Sequence, residues 1–438
     1  MAVYESLIAN ASRINTSVGM CTMFNNRIGI SETKPQASSW MARTHLLIVT
    51  LGLSCWAAAC GKVPGDAAPT SSSKQELEVA ATRRSLSYEY TTLDLPFPAG
   101  VAAGRNIVFV GSPFESRVVA LSRSSGRPLG ELPSPPNGFV LPFILKHVGE
   151  HRLAVLDPGG FPSPIPFVPA SPTIYEYDYG FSPGSGFSAT LVRSISFASV
   201  QVGFAENILR LEDGRYLLTD AILGSIWIAE VDGTIRPGIV PRTFASQDAI
   251  QQLHFCSTMP LIEVGGVPFL FSGSTLPGVS PIAARNGTVY FHSSCGGGLF
   301  SVPLASLSDG RASYQRADDI RLVSPKPSNV EVEELLDASF DPYSPSDHFL
   351  YAADALQLRL IRINVRTGQR QVVADDQRLF DFPSSLGFLQ PLSGFAPREL
   401  LVVSNQQHRT PVTNDAIATD ILELPFIATK VLIFDGVK

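Results

Sequence analysis

From Gly100 to the C-terminus the chain keeps returning to one local pattern: a short apolar strand, a turn, a second apolar strand ending in a small or acidic residue, and a third strand that closes on another turn. The pattern runs through GVAAGRNIVFVGSPFESRVVALSRSSGRPLGEL from Gly100 and ILRLEDGRYLLTDAILGSIWIAEVDGTI from Ile208. It recurs in PIAARNGTVYFHSSCGGGLFSVPL from Pro281 and ASFDPYSPSDHFLYAADALQLRLIRINVRTGQRQVV from Ala338. PFILKHVGEHRLAVLDPGG with TIYEYDY (142–179) forms another unit, and SSLGFLQPL, ELLVVSNQ and KVLIFDG form the last. Runs such as Ile107 to Val110 and Leu358 to Ile363 mark half-buried or fully buried strands. Asp213-Gly214, Asn286-Gly287 and Thr367-Gly368 supply hairpin turns in which Gly accepts positive φ.

Units of roughly 40 to 60 residues, each unable to bury both sheet faces alone, are stabilised by stacking around an axis. Six units give an all-β, six-bladed β-propeller; a seven-bladed count and a pair of β-sandwiches fit the same degenerate repeats. The 35 glycines and 34 prolines are spread along the chain and break it too often for long helices. With 45% apolar and 16% charged residues there is material for a large core. The formal net charge of −6, with no basic run beyond doublets, excludes the electrostatic footprint of a nucleic-acid binder.

The N-terminal part reads differently. From Met41 the sequence MARTHLLIVTLGLSCWAAAC places Arg43 before an apolar run from Leu46, then Ala57 to Ala59 ahead of Cys60 and Gly61. That is a signal peptide, and its apolar run is shorter than the roughly 20 residues of a spanning helix. It resembles the signal of bacterial lipoproteins, which implies that Cys60 is lipidated; Cys55 is a poorer candidate, and a buried strand or helix over 46–60 is the alternative. Residues 1–40 are expected to be a non-native extension, 41–59 the signal, 60–87 a polar tether and 88–438 the propeller. The expected product is exported, periplasmic or at the cell surface, and bound to the membrane through its lipid.

AENILRLEDGRYLLTDAILGSIWIAEVDG, ending at Gly233, resembles the repeat of gluconolactonase/regucalcin-like propellers, while RLAVLDPGG with PTIYEYDY, from Arg152, is similar to a blade of the yellow/royal-jelly propellers. Both families are six-bladed. The first resemblance implies a calcium-type divalent cation in the central channel, held by one Glu, two Asn and one Asp at blade starts, where it could polarise a lactone carbonyl. Glu206 stands at the matching blade start, with Asn207 and Asp337 near enough to add oxygens and Asn137 in a Pro-Asn-Gly turn. The other blade starts carry Ala99, Ser280 and Ser384, and the family's PNGL and PDGL signatures are missing.

Asp220 and Asp354 end second strands, where an acidic side chain caps the following turn. Cys256 and Cys295 are expected to form a disulfide in an oxidising compartment; with His254 and His292 they could instead make a zinc or copper site. Gly180-Phe181-Ser182-Pro183-Gly184 has the spacing of a serine nucleophile elbow, but Pro183 lacks the N–H that the oxyanion hole needs. The expected function is binding of a small molecule or partner protein; the rival is a metal-dependent lactonase or related hydrolase.

Overall fold

The computed structural model describes residues 87–91, 95–160, 171–182, 184, 186–240, 261–270, 278–293, 298–344, 346–391, 398–411, 413–423 and 426–433. The predicted lipidation site Cys60, the signal and tether, and Cys256 and Cys295 with their predicted disulfide lie outside these residues, as does His254.

Six four-stranded antiparallel sheets stand as blades around an axis. The first comprises β2 (Val101–Ala103), β3 (Ile107–Ser112), β4 (Arg117–Ser122) and β5 (Pro128–Glu131), and the second β6 (Ile144–Gly149), β7 (Arg152–Asp157), β8 (Thr173–Ser182) and β9 (Gly186–Ser196). The third holds β10 (Ala205–Arg210), β11 (Tyr216–Asp220), β12 (Ser225–Ala229) and β13 (Ile235–Ile239). A separate hairpin, β14 (Ile262–Val264) and β15 (Val267–Phe269), precedes the fourth blade of β16 (Val279–Arg285), β17 (Thr288–Ser293), β18 (Gly298–Pro303) and β19 (Arg321–Pro325). The fifth holds β20 (Leu335–Phe340), β21 (Phe349–Asp354), β22 (Arg359–Asn364) and β23 (Arg370–Ala374).

The sixth blade is built from both ends of the domain. Its inner strands β24 (Pro383–Leu389), β25 (Arg398–Ser404) and β26 (Ile427–Ile433) come from the C-terminal region, and β1 (Ser87–Thr91) adds the outermost strand. The inner strands β2, β6, β10, β16, β20 and β24 each touch the next, and β24 touches β2, so the ring is closed.

The continuous apolar runs follow from this geometry. Successive side chains of a strand point to opposite faces, and here both faces meet another blade. Ile107 and Phe109 pack towards the second blade with Leu145, Leu153 and Val155, while Val108 and Val110 pack towards the sixth with Leu401 and Val403. Tyr216 and Leu218 face the second blade and Leu217 the fourth. Leu350 and Ala352 face the fourth and Tyr351 and Ala353 the sixth. A fully buried side chain such as Phe109, at 0% exposure, contributes about 1.5–3 kcal/mol. Gly278 enters β16 where the backbone of Ala221 presses against it: a Cβ there would lie 1.8 Å from the Ala221 carbonyl oxygen.

β1 pairs with β26 from Ser87 opposite Val431 to Thr91 opposite Ile427. Removal of residues 1–86 is expected to leave the melting temperature unchanged to within about 2 °C. Removal of residues 1–91 strips β26 of its outer partner and should lower and broaden the transition in a calorimetric scan; equal melting of the two truncations would show that the ring does not depend on β1.

Candidate functional site

Each inner strand starts at the end of the ring where its neighbour finishes: Ala205 lies opposite Asp220, Leu335 opposite Asp354 and Pro383 opposite Ser404. We term this end the mouth. All three pairings slip by one residue directly afterwards, at Glu206, Leu336 and Ser384, and β16 slips over Ser280. A bulge re-aims the side chains that follow it. Asn207, Asp337 and Ser385 thereby occupy equivalent positions of three blades and meet in the channel.

Asp337 is the centre of that meeting and is completely buried. Its Oδ1 accepts from the Lys146 ammonium at 2.5 Å, from Asn207 Nδ2 at 3.1 Å and from its neighbour's amide, Ala338 N, at 2.9 Å. Its Oδ2 accepts from Ser385 Oγ and Leu386 N, both at 3.0 Å. Ser385 Oγ in turn accepts from Val101 N at 3.1 Å. The Asn207 side-chain oxygen Oδ1 accepts from Ile208 N at 2.9 Å. As arranged, the oxygens of Asn207 and Asp337 serve a lysine-centred network, and a divalent ion using them would have to displace Lys146. Among the described residues no group of three or more His, Cys, Asp or Glu side chains is arranged to hold a metal.

Glu206 sits nearer the mouth, 6% exposed. Burial pushes its carboxyl well above the usual carboxylate range, the Glu334 carboxylate adds repulsion, and a hydrogen bond with Ser280 offsets part of it. Glu334, 9% exposed, makes this a buried pair of like charges. Ser384 Oγ donates to the carbonyls of Ala99 and Val403 at 3.0 and 3.2 Å, so it fastens blades together. Asn137 is exposed in its turn and takes no part in the channel network.

Asp220 caps the following turn as the sequence predicts, accepting Ile222 N and Leu223 N at 3.0 and 2.9 Å, and also Gly203 N and Phe204 N at 2.7 and 3.1 Å. Asp354 departs from that expectation. Its turn is closed by Leu358 N on the Ala355 carbonyl, and the carboxylate pairs with Arg359 at 2.8 Å instead. Burial still raises it to about 6. His292 is buried and hydrogen-bonded to the carbonyls of Gly298 and Glu333 at 2.9 and 3.2 Å, and burial lowers it to about 4. Ser182 lies in the β8–β9 hairpin, not in a strand-to-helix turn.

Two parts of the site escaped sequence reasoning. One is Lys146, whose signal was a single cation inside the apolar run PFILKHV. The other is the β14–β15 hairpin, turned by Gly265 and Gly266 at φ +57° and +80°. Its Val264 and Phe269 cover Val332, Leu336 and Phe382 at the starts of the fifth and sixth blades, and Leu356 and Leu358 in the β21–β22 turn. Asn414 pins it: Leu270 N donates to Asn414 Oδ1 at 3.0 Å and Asn414 Nδ2 donates to the Pro268 carbonyl at 2.8 Å. Under it His408 is fully buried, stacked on Phe382 at 5.5 Å and 3.3 Å from Asp381, and burial lowers its imidazole to about 3.

No protein-family model matches the chain, and no curated protein matches it. Solved structures are similar in fold. A luciferin-regenerating enzyme is 11% identical with a TM-score of 0.47, over 81% of this chain and 99% of that one. A gluconolactonase from Xanthomonas campestris is 10% identical with a TM-score of 0.45, over 80% and 90%. The calcium-binding protein regucalcin from Agrobacterium tumefaciens is 12% identical with a TM-score of 0.43, over 77% and 90%. At such identities the likeness concerns the fold and leaves activity open.

Breaking a buried ion pair from one side costs about 3–5 kcal/mol. Lys146→Met is therefore expected to lower the unfolding free energy by about that amount, and K146M/D337N should be more stable than K146M alone. A loss below about 1 kcal/mol in denaturant titrations would show that the network does not hold the channel.

Proposed function

We propose that this protein is an exported binding propeller, anchored to a membrane through lipidated Cys60, that presents its mouth face to a partner protein or small molecule. The observation that carries this reading is the Lys146–Asp337 network. The channel centre is filled by the protein's own cation and the Asp337 carboxylate is fully hydrogen-bonded, so recognition falls to the loops and hairpin at the mouth. The path of β1 agrees with it. Val403 and Ala428 pair near the mouth, whereas Ser87 pairs with Val431 towards the opposite end, so β1 begins at the end of the ring away from the mouth. Wild-type protein should fractionate with membranes and Cys60→Ala should be released; a variant that still sediments with membranes overturns the anchor.

A second reading, a divalent-cation-dependent lactonase or related hydrolase, is favoured by the buried Glu206 and Glu334 carboxylates. Held between them, a cation would relieve their repulsion and supply a Lewis acid at the mouth. The two readings separate in thermal unfolding of wild type and Glu206→Gln. Because the folded state raises the Glu206 pKa, its stabilising contribution is complete at low pH and is lost as pH rises through the folded value. The variant should therefore melt above wild type at pH 8, and the gap should close as the pH falls. Saturable stabilisation of wild type by calcium, manganese or zinc that is abolished in the variant would install the hydrolase reading.

A further inference from the structure

The mouth face carries a groove of about 500 Å3 between the β14–β15 hairpin and the segment leading into β20. One wall is Leu261, Ile262 and Glu263, with Leu261 62% exposed; the other is formed by Val330, Glu331 and Val332. The hairpin register decides what the first wall offers. Val264 lies opposite Val267 across the two-residue turn and Ile262 opposite Phe269, with Glu263 opposite Pro268 between them. In such a ladder the pair flanking a two-residue turn is hydrogen-bonded and the next is not. The N–H and C=O of Glu263 therefore point away from β15. Pro268 has no N–H, and its carbonyl is taken by Asn414 on the other edge of the hairpin. Among the described residues the β14 edge has no further strand beside it, since the sheet has two strands.

Charge narrows the occupant. Glu263 and Glu331 are both exposed, and among the described residues no ion pair holds either and no Lys, Arg or His lines the groove. The nearby Lys326 ammonium is engaged by the Val330 carbonyl at 2.7 Å. Two copies of this edge would bring Glu263 against Glu263, which disfavours self-pairing. A strand alternating basic and apolar residues would place its apolar side chains against Ile262, Val330 and Val332 and its cations against the two carboxylates.

We infer that the β14 edge takes an extended, alternating basic and apolar peptide segment of a partner protein as an added strand. The inference rests on the partner-binding reading above and names the partner's chemistry. The probe is a fluorescein-labelled hexapeptide of alternating lysine and valine, titrated by anisotropy against the full chain in detergent, with a glutamate-valine hexapeptide as its counterpart. Saturable binding of the lysine peptide is expected to weaken about ten-fold in E263K/E331K, whose exposed positions spare the core, while the glutamate peptide gains binding there. Hydrogen exchange at the Glu263 amide should slow when the lysine peptide is bound. Failure to saturate, binding that the charge reversal leaves unchanged, unaltered exchange at Glu263, or dimerisation through this edge would each overturn the inference. Membrane fractionation of Cys60→Ala reads the broader proposal separately, so an absent peptide site with an intact anchor overturns the groove alone.

Discussion

A ring of blades has to be held at its axis, where six inner strands converge and little apolar side-chain volume can be accommodated. Here the Asp337 carboxylate meets that constraint. It accepts five hydrogen bonds, from Lys146 of the second blade, Asn207 of the third, its own fifth blade through Ala338 N, and Ser385 and Leu386 of the sixth. Ser385 carries the network on to Val101 of the first blade, and Ser280 of the fourth donates to the Leu336 carbonyl at 3.4 Å. Five blades are thus tied together at the axis through the Asp337 network, and the fourth reaches the fifth by a separate contact. A buried charge of this kind is tolerated because its lone pairs are filled and an ammonium stands beside it.

The other buried carboxylates of the mouth are compensated to different degrees. Asp220 receives four backbone amides and Asp157 three, from Val140, Leu141 and Gly159 at 2.7, 2.9 and 2.9 Å. Asp354 has Arg359, and Glu333 has Arg370, although among the described residues Asp354 Oδ1 and Glu333 Oε2 have no hydrogen-bond partner. Glu206 faces a second carboxylate instead of a cation, with a serine hydroxyl as relief. Where local consistency fails in an otherwise well-satisfied fold, a site is the first thing to look for. That physical contrast, independent of any resemblance, is why the cation-dependent reading deserves its own test.

The blades were legible because their signal is local: apolar alternation, hairpin glycines and acidic caps all lie within a few residues of one another. Asp213-Gly214, Asn286-Gly287 and Thr367-Gly368 each place Gly at positive φ, as their turns require. The contribution of β1 to the sixth blade was not legible, since its partner lies more than 330 positions away at β26 and nothing in either segment names the other. Glu206, Asn207 and Asp337 were picked out as polar residues at blade starts, and Asn207 and Asp337 do touch. Their partner Lys146 was hidden because the spacing of one blade carries no information about which side chain of another it faces.

Edges explain the remaining layout. Closing the ring leaves each blade one outer strand, and an open strand edge invites pairing with other chains. Five of the six outer strands meet their neighbours through an irregular register, in β5, β9, β13, β19 and β23, and Pro128, Pro237 and Pro325 remove donors from three of them. The β14 edge has neither device; it has Glu263. A carboxylate on an edge repels an identical edge and attracts a basic one, so one side chain can serve both against self-association and for the proposed basic strand. The hairpin that bears it is also the element pinned over Leu336 and Phe382, so the packing of Val264 and Phe269 joins this edge to the residues at the starts of the fifth and sixth blades.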